Sequence, residues 1–458
     1  MTVLAHGVGQ SQDLPLPLDL VLQAGAATVV VSFLVVAVWW KRPRLHLAEG
    51  PERPVRESPL RWLVLAVTLY LVGNALLGPR GPENPAGHAL FVWLWVGLVP
   101  VSVVFGPVWR QVNPLRTLFR LLRLPAAGLR PLSAARSDFP ARPESPVRPE
   151  SPAGAESPAQ PQSPAQPKLP AQLEVPARSE LPARSELPAR SELPARSAGR
   201  WPAAIALLAF VWLELVAPHR GEPVVVGGWL LGYGLVQLAC AAVRGEEWFA
   251  RGDCFEVYSE LAGRLSPLRH RNPLAGVAHT APGPGLAAFL AVWWGSTIFD
   301  SASGSPAWAA FLQRAGNPIL YGTAGLILLC ASVLVSVRVL SGRLDVTASL
   351  IPIAVGYTLA HYLSLLLVEA PRGVLLMVQQ WGVAEGVEWN MAPTPGVIAA
   401  AQITLILIGH VLGVVVAHDM ALTAAPERPP LATLADELPV VLLMIGYTWA
   451  GLFLLFVR

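Results

Sequence analysis

Val355-Gly-Tyr-Thr-Leu-Ala-His-Tyr-Leu-Ser-Leu-Leu-Leu-Val-Glu-Ala-Pro371 is an apolar, helix-length run with a histidine in its middle and a glutamate near its end. The hydrocarbon of a bilayer holds no water to satisfy such groups. An ionisable side chain placed there is paired with another group or serves a function. The same apolar texture recurs along the chain. Of 458 residues, 53% are hydrophobic and 14% are charged, whereas a soluble domain carries about 25% charged residues. Sixteen tryptophans suit a membrane protein, because indole rings favour the headgroup boundary. The composition points to an all-α, polytopic transmembrane helix bundle whose first partner is the lipid bilayer.

A helix needs roughly 20 apolar residues to cross the hydrocarbon. Ten segments qualify: 19–40, 60–78, 88–107, 202–217, 224–243, 284–300, 317–340, 348–369, 397–417 and 438–457. Spans four and six are the shortest in apolar content. Pro352 and Gly356 interrupt span eight. Arginine placement orients the set. Lys41, Arg42, Arg44, Arg53, Arg56 and Arg61 follow span one; Arg110, Arg116, Arg120 and Arg123 follow span three. Arg244, Arg251, Arg264, Arg269 and Arg271 follow span five, and Arg338 and Arg343 follow span seven. The opposite loops carry Arg80, Arg220, Arg314 and Arg372. The positive-inside rule then places both termini outside. The first apolar run is longer than a signal-peptide core and lacks a basic leader, so it reads as a retained span. Richness in Ala, Arg, Gly, Pro and Val suggests a high-GC bacterial genome and hence an inner membrane.

Three parts follow: membrane spans in 1–125, a linker over 126–199, and membrane spans in 200–458. The linker contains Pro-Glu-Ser-Pro units and a Pro-Ala-Arg-Ser-Glu-Leu hexapeptide repeated near 176–193. Proline at every sixth position forbids a continuous helix and no apolar face exists to bury, so an extended, disordered cytoplasmic segment is expected. Leu115–Leu124 places Arg116, Arg120 and Arg123 opposite Leu115, Leu118, Phe119 and Leu122, the pattern of a helix lying on an anionic leaflet. Phe255, Tyr258, Ala262 and Leu265 repeat it more weakly. The triplet Asn-Pro-Leu occurs at 113–115 and 272–274, which hints at an internal duplication.

A net charge of +3 gives a nucleic-acid partner no electrostatic support. Cys240, Cys254 and Cys330 have neither disulfide-framework nor zinc spacing. No P-loop, GxSxG or Rossmann fingerprint is present, so ATP-driven work, serine lipase chemistry and dinucleotide redox chemistry lack support. The chemistry lies in polar groups inside the spans. Counted from the arginine-rich end at 1.5 Å per residue, Glu214 lies at roughly 18 Å, His361 at about 20 Å, Asp300 at about 24 Å and His410 at roughly 11 Å. His361, Glu214 and Asp300 share one layer, with His410 below them and His418-Asp419 at the rim. Gly409 and Gly413 flank His410 and let another helix approach its face. His6, outside, is a possible further ligand if the N-terminus folds onto the bundle.

Imidazole and carboxylate at one depth suit a divalent metal such as zinc or manganese, with His361, His410 and His6 as ligands and Asp300 or Glu214 as base. The same groups suit a proton relay in a multi-pass transporter or ion-coupled permease. They also suit plain helix-to-helix hydrogen bonding. A metal-bound water would act on an ester of a small-molecule substrate.

The motifs Leu4-Ala-His-Gly7, Trp93-Leu-Trp-Val-Gly-Leu-Val-Pro100, Val108-Trp-Arg-Gln-Val-Asn-Pro114, Trp212-Leu-Glu-Leu215, Gly295-Ser-Thr-Ile-Phe-Asp300, Ala360-His-Tyr-Leu-Ser364 and Ala417-His-Asp419 resemble a group of bacterial polytopic membrane proteins commonly labelled fenitrothion hydrolase. The resemblance covers nearly the whole chain outside 126–199. It implies hydrolysis of an activated phosphotriester with a nitrophenolate leaving group. His361 and His410 would then be metal ligands, and Asp300 or Glu214 a ligand or base.

Overall fold

The computed structural model describes residues 17–45, 58–125, 199–340, 345–424 and 430–456. No strand occurs among them. His6, nearly all of the repeat linker and the linker's expected disorder lie outside the described residues. The helices used below are α1 (Leu18–Trp39), α2 (Leu60–Leu77), a π-helical stretch His88–Gly97 that runs into α3 (Leu98–Phe105), and α4 (Pro114–Leu121). They continue with α5 (Trp201–Leu215), α6 (Pro223–Arg244), α7 (Cys254–Gly263), α8 (Leu286–Ser303) and α9 (Pro318–Leu340). The last are α10 (Leu350–His361), α11 (Leu363–Gln379), α12 (Pro395–Ala424) and α13 (Pro430–Phe456).

Seven helical segments are long and apolar enough to cross a membrane, and the bent pair Thr347–His361 with Leu363–Gln379 makes an eighth if counted as one span. The expected spans 202–217 and 284–300 account for the difference from ten. The first is α5, with 15 residues. The second is α8, in which 16 of 18 residues are buried. α8 stands at the centre and packs against α5, α9, α10 and α13. A helix walled by protein can carry Ser296, Thr297, Asp300 and Ser301 because it presents little surface to lipid. Its lower apolarity follows from its position.

The interruption of span eight lies elsewhere than Pro352 and Gly356. α10 runs unbroken through both and ends at His361. The break falls at Tyr362 (φ −99°, ψ 12°), after which α11 departs at 63°. Gly356 serves packing instead. A Cβ there would meet Leu405 O at 2.6 Å and Gly409 Cα at 3.1 Å; one on Gly409 would meet Pro352 O at 2.7 Å. α10 and α12 therefore touch backbone to backbone, on the glycine face expected beside His410. Gly356→Ala is expected to destabilise the protein by about 1–3 kcal/mol, because the clashing atoms are backbone and cannot rotate away. Gly73, also helical, has nothing within 4 Å of its would-be Cβ. Gly73→Ala is expected to be neutral or stabilising, since alanine is the better helix former. Thermal melts of the two variants in detergent check the contrast.

The two stretches expected on the leaflet surface pack differently. In α4, Arg116, Thr117 and Phe119 are buried, while Leu121 and the following Leu122 are 57% and 56% exposed. Arg116 turns inward because carboxylates wait there: it meets Glu256 and Glu246, while the exposed Arg120 reaches back to Glu246. Phe255, Tyr258, Ala262 and Leu265 all lie in the core. The first three belong to α7, a ten-residue helix enclosed by α3, α5 and α10, and Leu265 lies just past its end. Capping chemistry explains the repeated Asn-Pro-Leu. Asn113 Oδ1 accepts from Leu115 N at 2.9 Å and Asn272 Oδ1 from Leu274 N at 3.0 Å, with proline at the first helical position each time.

Candidate intramembrane acid–base site

Asp300 and Ser301 sit in the last turn of α8, and His361 closes α10 beside them. His361 is fully enclosed, and its Nε2 lies 2.8 Å from Asp300 Oδ2. Its Nδ1 lies 3.1 Å from Ser301 Oγ, which lies 3.0 Å from Tyr357 Oη. The ring is held on two sides: Tyr357 lies parallel to it at 6.1 Å and Tyr362 stands edge-on at 4.5 Å. With Asp300 ionised, Nε2–H donates to the carboxylate. Nδ1 then accepts from the Ser301 hydroxyl when the imidazole is neutral and donates to it when the ring is protonated. Ending α10 at His361 also sets the imidazole at a helix C-terminus, where the carbonyl ends favour positive charge.

Glu214, in the last turn of α5, is 4% exposed, and neither of its carboxylate oxygens has a hydrogen-bond partner. Asp300, Tyr258 and Tyr362 lie within its electrostatic reach. Trp95, from the π-helical stretch, stacks on Tyr258 at 4.8 Å; Tyr258 meets Trp293 at 4.4 Å on α8. A π-helical turn is rare and is often found at functional sites. Here it belongs to the helix that brings Trp95 against Tyr258 and Tyr362.

Of the predicted residues, the structure joins Asp300 with His361 and brings Glu214 within electrostatic reach of Asp300. His410 stays apart. Its Nδ1 lies 2.9 Å from Ile406 O, one turn back, and its Nε2 has no partner. Among the described residues no group of three or more His, Cys, Asp or Glu is arranged to hold a metal ion. The described donors therefore do not fit a zinc or manganese site. His418 and Asp419 are both buried: His418 Nδ1 lies 2.8 Å from Glu437 Oε2, and Asp419 Oδ1 accepts from Trp40 Nε1 at 2.8 Å and Arg44 N at 2.6 Å. The pair fastens the end of α1 to α12. Another pair, His88 with Glu369 at 3.0 Å, joins the π-helical stretch to α11. Sequence reading passed over His88 and Glu437, because each stands near the end of an apolar run, where a polar residue is ordinary.

A further cluster fixes α7. Asp253, its N-cap, accepts from Tyr233 Oη at 2.7 Å, Asn113 Nδ2 at 2.8 Å, Trp109 Nε1 at 3.2 Å and Phe255 N at 3.0 Å. Burial, and then the neighbouring Glu256 charge, hold the Asp253 carboxyl above the usual range against these donors.

No protein-family model matches this chain, nor does any curated protein or any solved structure.

Proposed function

We propose that this chain is an ion-coupled permease of a bacterial inner membrane, in which the Asp300–His361 pair carries a proton. The observation behind the proposal is a sealed carboxylate–imidazole pair at the joint of a broken helix. Coupling sites of carriers are built from discontinuous helices at bundle depth. Protonation of His361 at Nδ1 reverses its bond with Ser301: the hydroxyl stops donating to the ring, accepts from it, and turns its own hydrogen to Tyr357 Oη. One proton thus redirects a chain of hydrogen bonds at the point where α10 and α11 diverge.

The proposal counts ten spans with both termini outside, α5 and α8 included. At 1.5 Å per residue α8 reaches about 27 Å and α5 about 22 Å. Counting both as crossings keeps every arginine-rich loop on one side, which supports the count.

A second reading follows from the line of groups Asp300, His361 and Ser301, a carboxylate, an imidazole and a hydroxyl in the order of nucleophilic hydrolases. Together with the resemblance to proteins labelled fenitrothion hydrolase, this supports phosphotriester hydrolysis. One preparation tests both. Purified protein in liposomes loaded with a pH-sensitive dye, under a potassium diffusion potential, is expected to pass protons faster than protein-free liposomes. Flux at the protein-free level, with nitrophenolate released from a chromogenic phosphotriester, would replace the carrier by the hydrolase.

A further inference from the structure

Gln402 is a buried amide on α12 that the proposed proton chain does not include. It has no exposed surface, and its Nε2 donates to Ala360 O at 2.9 Å. Its Oε1 has no hydrogen-bond partner among the described residues. An unpaired buried acceptor carries a cost that a leucine of similar size would not. The residue is therefore explained by the bond it makes, and that bond falls on the joint of the broken helix. The last four carbonyls of an α-helix have no partner within it. In α10 these belong to residues 358–361. Thr358 O accepts from Tyr362 N at 3.1 Å, and beyond the break Leu366 N donates to Tyr362 O at 2.8 Å. Ala360 O is reached from another helix, by Gln402. Inside a bilayer a helix break is tolerated where neighbouring helices take up the backbone groups it releases.

We propose that Gln402 is the positioning residue of the proton pair: from α12 it fixes the end of α10 so that His361 meets Asp300 on one side and Ser301 on the other. The inference rests on the ion-coupled reading of that pair. Gln402 takes no proton itself. The Ala360 carbonyl and the His361 nitrogen share one peptide plane, so the group that Gln402 holds is the mount of the imidazole. The ring's two contacts, Nε2 to Asp300 Oδ2 at 2.8 Å and Nδ1 to Ser301 Oγ at 3.1 Å, lie on opposite edges. Rotating the mount lengthens one or both. α12 is a firm support for such a bond, because its backbone touches that of α10 nearby: a Cβ on Gly356 would meet Leu405 O at 2.6 Å. An apolar residue at 402 would fill the same space and leave the joint unfastened.

The test combines proton flux in liposomes with the imidazole nitrogen NMR signals of the histidine-labelled full chain, those of His361 being assigned by their absence from His361→Gln. Gln402→Leu is expected to lower flux about tenfold or more, the scale of a misplaced reacting group, and to shift the His361 signals. It should melt close to the wild-type temperature, since the unpaired Oε1 goes together with the lost bond. Gln402→Glu supplies a rescue, and the reading should the leucine variant fold poorly. An ionised carboxylate cannot donate to Ala360 O and a protonated one can, so the flux of the glutamate variant relative to wild type is expected to recover as pH falls. Wild-type flux and wild-type His361 signals in Gln402→Leu would overturn the role, as would a glutamate variant whose flux relative to wild type is the same at alkaline and acid pH. No flux from the wild type, with His361 signals shifted by Gln402→Leu, leaves the positioning role standing and removes the carrier; equal flux and identical signals in wild type and Gln402→Leu do the reverse.

Discussion

His361→Ala is expected to bring proton flux in liposomes down to the protein-free level, a loss of roughly 100-fold or more, the scale on which a positioned acid–base group acts. The imidazole is the member of the Asp300–His361–Ser301–Tyr357 chain whose two ring nitrogens can take a proton from one partner and release it to another. Removing it also leaves Asp300 buried, within electrostatic reach of Glu214, without the imidazole that bonds it. Instability is therefore the competing explanation, and two further variants separate the causes. His361→Gln retains an N–H donor for Asp300 but cannot titrate, so it should fold and still fail to conduct. Asp300→Asn removes the charge that holds the imidazole and should fold at least as well as wild type, again without flux. Conduction by His361→Gln at more than a tenth of the wild-type rate would assign His361 to helix packing alone.

The apolar runs were legible in the sequence because hydrophobicity is a local property: α1, α2, α6, α9 and α12 stand close to where composition puts them. What could not be read locally is which runs touch lipid. α8 and α1 both look like spans, yet α8 is walled by protein and α1 buries only part of its surface. The depth estimate correctly placed Asp300 and His361 in one layer, since rise per residue is fixed. Their pairing at a separation of 61 residues depends on how α8 and α10 pack, which no local pattern encodes. The arginine stripe of α4 misled for a related reason. Amphipathic periodicity reports that a helix has two faces and is silent on whether the polar one meets phosphate or carboxylate. Glu246 and Glu256, more than 120 residues away along the chain, decide that.

Those two carboxylates set the largest expected effect on stability. Arg116→Ala is expected to cost about 3–5 kcal/mol, because it strands a buried charge. The Arg116 side chain is 9% exposed and that of Glu256 is 2% exposed, joined by Nε to Oε2 at 2.7 Å and Nη2 to Oε1 at 2.6 Å. Arg116→Met combined with Glu256→Gln should recover most of the loss, since replacing both partners leaves no bare charge; a double-mutant cycle on melts in detergent gives the coupling. Acid acts on the cluster with two signs. For Glu246, burial alone would raise the pKa; hydrogen bonds and charge from Arg120, then Arg116, outweigh it and hold the carboxyl below its usual range. Its contribution is therefore complete above the ordinary glutamate value and disappears as pH falls through the depressed one. Asp253, held high by burial, works the other way: the folded state takes up its proton first and gains stability as pH falls through that raised value. Arg116→Ala should weaken the Glu246 contribution and leave the Asp253 gain, so its stability should fall less steeply in acid than that of the wild type. A cost below about 1 kcal/mol for Arg116→Ala would be the value of a solvated surface pair, and α7 would then be held by its apolar contacts and the Asp253 cap rather than by the arginine.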